Sequence, residues 1–203
     1  MREIRGVAAS PGAAIARAFL YSDDYSGAIP SYSIQSEDTP GEFERFQEAV
    51  AQAKEEVKSL RGKALAEAGE EQAAIFDAHL LMLDDPEVWG QVQERLHATL
   101  MNVESIVFTL EQEMIDQLSS SQDPYIQERV SDVHDVMHRI LGHLLHRERF
   151  SLADLEKEVI LIARDLLPSD MVGMARTKIR GIALEAGGRT SHAAILARAF
   201  GIP

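Results

Sequence analysis

Residues 187–198 read Gly187-Gly188-Arg189-Thr190-Ser191-His192-Ala193-Ala194-Ile195-Leu196-Ala197-Arg198. Two glycines, a cation, two hydroxyls and one histidine run into strong helix formers. Glycines let a backbone turn and approach a ligand where a side chain would clash. Thr190 or Ser191 can cap the helix that follows. The first free amides of such a helix, together with its macrodipole, favour an anion. Arg189 adds a planar fork of donors suited to phosphate. A neutral imidazole held at such a place is a nucleophile able to take a phosphoryl group and pass it on. The same grammar also serves a plain loop-to-helix junction, so spacing alone leaves both readings open.

Working outward, Ile179 to Glu185 reads as a strand leading into this junction, and Leu167-Pro168-Ser169-Asp170 opens a short helix reaching about Ala175. Val159-Ile160-Leu161-Ile162-Ala163 reads as a strand buried on both faces, continuous rather than alternating. At the other end of the chain, Ile4 to Ala9 and Ala13 to Tyr21 read as extended runs about a Ser10-Pro11-Gly12 turn. Between them the period is helical. Phe43, Phe46, Val50, Ala53, Val57 and Leu60 step by three and four. Five helices are expected: about 41–68, 70–83, 86–100, 103–118 and 124–147. The expected fold is therefore an α/β domain built from both termini, residues 1–32 and 148–203, with an all-α helical-bundle domain inserted over 33–147. The last residues, Gly201-Ile202-Pro203, read as the entry to a further strand, which makes a piece of a longer protein the expectation.

Composition excludes several classes. A net charge of -13 over 203 residues repels a nucleic-acid backbone. The chain has no cysteine, hence no disulfide framework and no thiolate metal site. No apolar run approaches a membrane span and no secretory signal opens the chain, so a cytoplasmic location without membrane insertion is expected. Residues 37–87 hold 14 acidic against 5 basic side chains, which suits a partner carrying basic charge.

The stretch 187–198 resembles the active-site signature of the phosphohistidine domains of phosphoenolpyruvate-using enzymes. Residues 6–16, Gly-Val-Ala-Ala-Ser-Pro-Gly-Ala-Ala-Ile-Ala, resemble the start of one branch, Enzyme I of the phosphoenolpyruvate-dependent sugar phosphotransferase system. Gly69-Glu70-Glu71-x-x-Ala74-Ile75-Phe76-x-x-His79-x-x-x-Leu83 resembles the segment of that family that receives HPr, its small phosphocarrier. The resemblance covers essentially the whole chain. It implies a phosphotransferase in which His192 is phosphorylated, on Nε2, and passes the group to HPr. Arg189, Thr190, Ser191 and Gly188 would hold the phosphoryl oxygens. Glu70, Glu71, Ile75, His79, Leu81, Met82 and Glu87 would face HPr, with Arg129 added by the match Glu128-Arg129-x-x-Asp132. In the family, phosphoenolpyruvate and magnesium bind a C-terminal barrel that also makes the homodimer. These 203 residues do not include it, so no cofactor, no reaction with phosphoenolpyruvate alone and a monomer are expected of them.

Two positions depart from the family pattern. Leu167 stands where a threonine often precedes Pro-Ser, and Gln72 stands where a lysine often follows the Glu-Glu pair. Both family residues can contact the unphosphorylated histidine, so the resting ring of His192 is expected to be held differently. His134 and His138, followed by His143 and His146, have helical spacing that could hold zinc with a third ligand such as Glu128 or Asp135. A polar face late in a helix accounts for them as well, and no metal site is assigned. Two alternative readings stand beside Enzyme I: the phosphohistidine domain of a dikinase or phosphoenolpyruvate synthase, and a non-catalytic helical interaction module, which would carry no acid-labile phosphate on His192.

Overall fold

A computed structural model describes residues 4–22, 29–146, 152–174, 176–189 and 191–203. Seven helices and three strands are found among them. Strand β1 is Arg17–Leu20. Helices α1 (Thr39–Ala68), α2 (Glu70–Leu83), α3 (Pro86–Thr99), α4 (Val103–Ser119) and α5 (Pro124–Leu144) follow. Then come β2 (Val159–Ala163), α6 (Pro168–Gly173), β3 (Ile179–Leu184) and α7 (His192–Ala199).

The three strands form one parallel sheet in the order β1-β2-β3. Parallel neighbours cannot be joined by a tight turn and need a crossover. Here α6 makes the crossover from β2 to β3, and the whole α1–α5 block lies between β1 and β2. Buried apolar side chains gather in two clusters. One is helical, with Phe46, Val57, Phe76, Leu96, Val107 and Leu141 among its members; the other joins Leu161 and Ile179 of the sheet with Met171 of α6 and Leu196 of α7.

Local chemistry sets the helix ends. On α1 the buried positions Phe46, Ala49, Val50, Ala53, Val57 and Ala64 form one stripe. Gly69 stops the helix at φ 95, and its amide donates back to Ala64 O at 3.1 Å, a backbone shape that a side chain would resist. Asp85 caps α3 by accepting the Glu87 amide at 2.9 Å, with Pro86 in the first turn. Asn102, fully buried, accepts the Tyr32 amide and donates to Pro30 O, each at 3.0 Å. It thereby ties the connector entering the helical block to the start of α4.

Several expectations need correction. Residues 4–9 are not a strand, and only Arg17–Leu20 of the second extended run is. Ile4, Val7 and Ile15 are exposed, and the carbonyls of Ala8 and Ala9 accept hydrogen bonds from Arg189 and Arg198. The segment is held by guanidinium groups and finds no strand partner among the described residues. β2 alternates: Val159, Leu161 and Ala163 are buried, whereas Ile160 and Ile162 are half-buried. α1 begins two residues early, at Thr39, because Pro40 fits the first turn. α5 ends at Leu144, and Arg147 lies outside the described residues.

The two clusters meet along α5 and α6. Asp135 on α5 is fully buried. Its Oδ1 accepts the Ser169 hydroxyl at 2.7 Å and Arg139 Nη2 at 3.2 Å, and its Oδ2 accepts the Ser169 amide at 3.0 Å. A carboxylate thus caps the first turn of α6 from another helix. At the far side of the contact Arg176 pairs with Glu67 of α1 and lies 4.1 Å over the ring of Phe200. Asp135→Ala would strand the Ser169 donors and part of the Arg139 charge. Urea unfolding is expected to show a loss of about 3 kcal/mol, with a smaller loss for Asp135→Asn, which keeps one acceptor.

Candidate functional site

The junction before α7 is built as a capped helix start. Ser191 is the N-cap, and its Oγ accepts the Ala194 amide at 3.3 Å. The first backbone bond of the helix runs from Ile195 N to Ser191 O, so the amides of His192 and Ala193 precede the helical ladder. Gly187 has φ 92, and a Cβ there would sit 3.3 Å from Ser191 Oγ. Gly188 is exposed with open space around it. Arg189 is exposed; its Nε donates to Ala8 O at 3.0 Å. Arg198, in the last turn of α7, donates from Nη1 to Ala9 O at 2.9 Å and to Arg189 O at 2.8 Å. The glycine-rich loop and the segment 8–9 are thus laced together beside the histidine. Thr190 lies outside the described residues.

His192 opens α7 and faces the helical block. Its Nδ1 lies 3.7 Å from Oδ1 of Asp132 on α5, and its side chain keeps 24% of its exposure while the carboxylate keeps none. The same Asp132 oxygen is 3.5 Å from Nε2 of His79 on α2, and the other, Oδ2, accepts Arg129 Nη1 at 3.1 Å. His79 in turn meets the edge of Phe76 at 5.5 Å. One buried carboxylate is therefore shared by two imidazoles and a guanidinium drawn from three helices. Among the described residues the polar neighbour found for His192 is Asp132 rather than Gln72, and Leu167, buried at the start of α6, offers no side-chain donor.

The expected partner face divides. Glu70, Glu71, Leu81 and Glu87 are exposed, Leu81 at 74%, while Ile75 and Met82 are half-buried. His79 must be removed from that face: at 1% exposure it lies beneath the surface against Asp132. Phe76, His79 and Leu83 step by three and four, so His79 shares the buried arc of α2. Arg129 is partly exposed, yet one of its nitrogens is committed to Asp132. Asp77 is exposed on the same helix, but its hydrogen bond to Arg61 holds its carboxyl below the usual carboxylate range, so it is already paired.

Sequence reading missed the role of Asp132 beside His192. It named that residue only within a match, and nothing local marks a carboxylate as the neighbour of a histidine 60 positions away. The signal available was placement: Asp132 and Asp135 sit on the side of α5 that also carries Val136 and Ile140, and an acid on a buried face requires a compensating partner.

The arrangement joins a histidine at an amide-rich helix start, a loop with a free glycine and an arginine, and a helical block presenting acids around an exposed leucine. Comparison with known proteins is direct. The family profile described as "PEP-utilising enzyme, N-terminal" matches residues 5–129, and the one described as "PEP-utilising enzyme, mobile domain" matches residues 155–203. The chain belongs to the family of PEP-utilising enzymes. It is similar to the phosphoenolpyruvate-protein phosphotransferase of Bacillus subtilis (strain 168), 37% identical over 206 residues covering 100% of this chain and 35% of the relative. The enzyme of the same name from Bacillus sp. (strain S) is 39% identical over 100% of this chain and 34% of the relative. The chain thus spans about a third of the length of the curated relatives it matches. A solution structure of Enzyme I (nEIt) aligns with TM-score 0.76 at 40% identity, over 98% of this chain and 79% of that one. The N-terminal domain of Enzyme 1 – Nitrogen aligns with TM-score 0.65 at 26% identity, over 96% and 79%. The mostly helical chain with its small parallel sheet has the fold of Enzyme I N-terminal domains. Among the described residues no helix is long and apolar enough to cross a membrane.

The two glycines make different demands. Gly187→Ala forces a side chain into a positive-φ position against the N-cap hydroxyl and is expected to lower stability by about 1–2 kcal/mol. Gly188→Ala meets open space and is expected to stay within about 0.5 kcal/mol of the parent. Denaturant midpoints of the two variants check the difference.

Proposed function

We propose that this chain is the phosphocarrier-binding and phosphohistidine part of a phosphoenolpyruvate-protein phosphotransferase of the sugar phosphotransferase system, acting in the cytoplasm. The observation that carries this reading is the position of His192: first residue of α7, beside the free amides of its own helix start, partly open to solvent and facing the helical block. The family membership and the structural likeness to Enzyme I support it. In this reading residues 1–32 and 148–203 form the phosphohistidine domain and residues 33–147 the bundle that receives HPr. In this reading magnesium and phosphoenolpyruvate would bind a further, C-terminal barrel, and none of the residues here is assigned to hold them.

The residues divide the work as follows. With an N–H at Nδ1 turned to Asp132, His192 keeps its lone pair on Nε2, the nitrogen that would attack phosphorus in line. The tautomer is fixed by what the other nitrogen meets. Arg189, Ser191, Thr190 and the Gly188 backbone supply positive charge and donors to the phosphoryl oxygens. Little covalent chemistry is asked of the protein in phosphoryl transfer beyond positioning and charge stabilisation. Attack by Nε2 forms the N–P bond as the bond to the donor histidine of phospho-HPr breaks, so the reaction is reversible and needs no other reactant. Leu81, with Ile75 and Met82 beside it and Glu70, Glu71 and Glu87 around it, offers an apolar patch ringed by acids to a partner with the opposite pattern. Charge complementarity of this kind sets encounter rate and specificity.

Incubating the chain with 32P-labelled phospho-HPr is expected to give acid-labile, alkali-stable label on the parent and none on His192→Ala. An unlabelled parent that binds HPr would reduce the chain to an interaction module. Leu81→Asp places a charge at the centre of the patch and is expected to weaken HPr binding about tenfold or more without changing the fold. Heteronuclear NMR titration reads both affinity and location, and an absence of shifts along α2 would count against this face.

A further inference from the structure

We propose that Glu111 on α4 and His134 and His138 on α5 bind a zinc ion that cross-links these two helices. The site lies within the helical block and is independent of the phosphoryl-transfer reading. One ligand atom from each of the three residues falls within 4.8 Å of the others. Glu111 and His138 are buried, while His134 is partly open to solvent. Oε1 of Glu111 lies 2.6 Å from Nδ1 of His134, and the two imidazole rings are 4.1 Å apart with 42° between their planes. The histidines are four residues apart on one helix, so both rings rise from the same face. The sequence reading required a third ligand and looked for it at Glu128 or Asp135. Asp135 is committed to Ser169 and Arg139, and the third group arrives instead from α4.

A second observation points to a cation independently of the spacing. The other carboxylate oxygen of Glu111, Oε2, is buried and has no hydrogen-bond partner among the described residues. A buried charged oxygen left unpaired is costly, and a bound cation satisfies it without a further donor. The donor set then selects the ion. Two imidazoles and one carboxylate are a set that zinc takes in tetrahedral sites, whereas calcium and magnesium prefer oxygen alone. Three protein ligands leave a fourth, tetrahedral position for water, on the side where His134 is open. Tetrahedral ligand atoms about 2.0–2.2 Å from one zinc ion lie about 3.3–3.6 Å from each other. The 2.6 Å contact would therefore lengthen and the widest separation shorten as the ion enters, by rotation of side chains on helices already in place.

Zinc chloride titrated by calorimetry into the chelator-treated 203-residue chain is expected to saturate at one ion per chain, with the thermal midpoint rising as zinc is added. Glu111→Gln and His134→Ala are each expected to weaken binding at least about tenfold. His134 is partly exposed, so its alanine variant keeps the fold, and far-UV circular dichroism verifies this. His143→Ala, one turn beyond the site, is expected to leave binding unchanged. Cobalt in place of zinc is expected to give the visible absorption of a tetrahedral site in the parent and to lose it in His134→Ala. An absence of binding, or binding that persists equally in Glu111→Gln and His134→Ala, overturns the proposal.

Discussion

A carboxylate with no access to water has to be answered by its neighbours, and in this protein that requirement falls on two residues three positions apart on α5. Asp132 and Asp135 are both fully buried. Asp135 is satisfied by the first turn of α6 and by Arg139; Asp132 is satisfied by Arg129, with His79 and His192 close by. α7 packs in the sheet's cluster, α5 in the helical one and α6 contributes to both, so these two acids sit where the clusters meet and fix one against the other. Apolar contact joins bodies with little directional preference. A buried acid with a required set of donors admits one arrangement, and that arrangement puts the His192 ring against the bundle.

The elements closest to the expected bounds are those whose signal is local. α2 carries its own stop and start in Gly69 and Asp84-Asp85-Pro86, and β2 and β3 are short apolar runs set between polar turns. Ser191 caps α7 as its hydroxyl chemistry requires. What misled was the reading of segments whose neighbours lie far away in sequence. Residues 4–9 have the composition of a strand, but the carbonyls of Ala8 and Ala9 are taken by Arg189 and Arg198, about 180 positions on. The spacing Glu71-Ile75-His79-Met82 and the family match put His79 on the partner face. The arc through Phe76 and Leu83 was the better guide to its burial.

The same reasoning applies to acids in helices. Glu111 follows Val103, Ile106, Val107 and Leu110 on the buried side of α4, so its position alone called for a partner. Glu104, one of the first-turn residues of that helix, shows the ordinary solution: it is buried, and both Arg45 and the Asn102 amide reach it. Glu111 has His134 on one oxygen only. The distinction between a helix's solvated acids and its buried ones is legible from periodicity, but the identity of the answering group is a tertiary fact.

At His192 the two fields acting on the ring have opposite preferences. The amide-rich start of α7 favours negative charge, whereas Asp132, 3.7 Å from Nδ1, disfavours it. An unphosphorylated ring can satisfy both, turning an N–H to the carboxylate while its other nitrogen stays open. A phosphoryl group on Nε2, as proposed above, would leave the Nδ1 N–H to the carboxylate and place its own charge on the far nitrogen, beyond the 3.7 Å contact. The buried acid and the helix start would then act on opposite edges of one ring, the first holding its orientation and the second favouring the charge it gains.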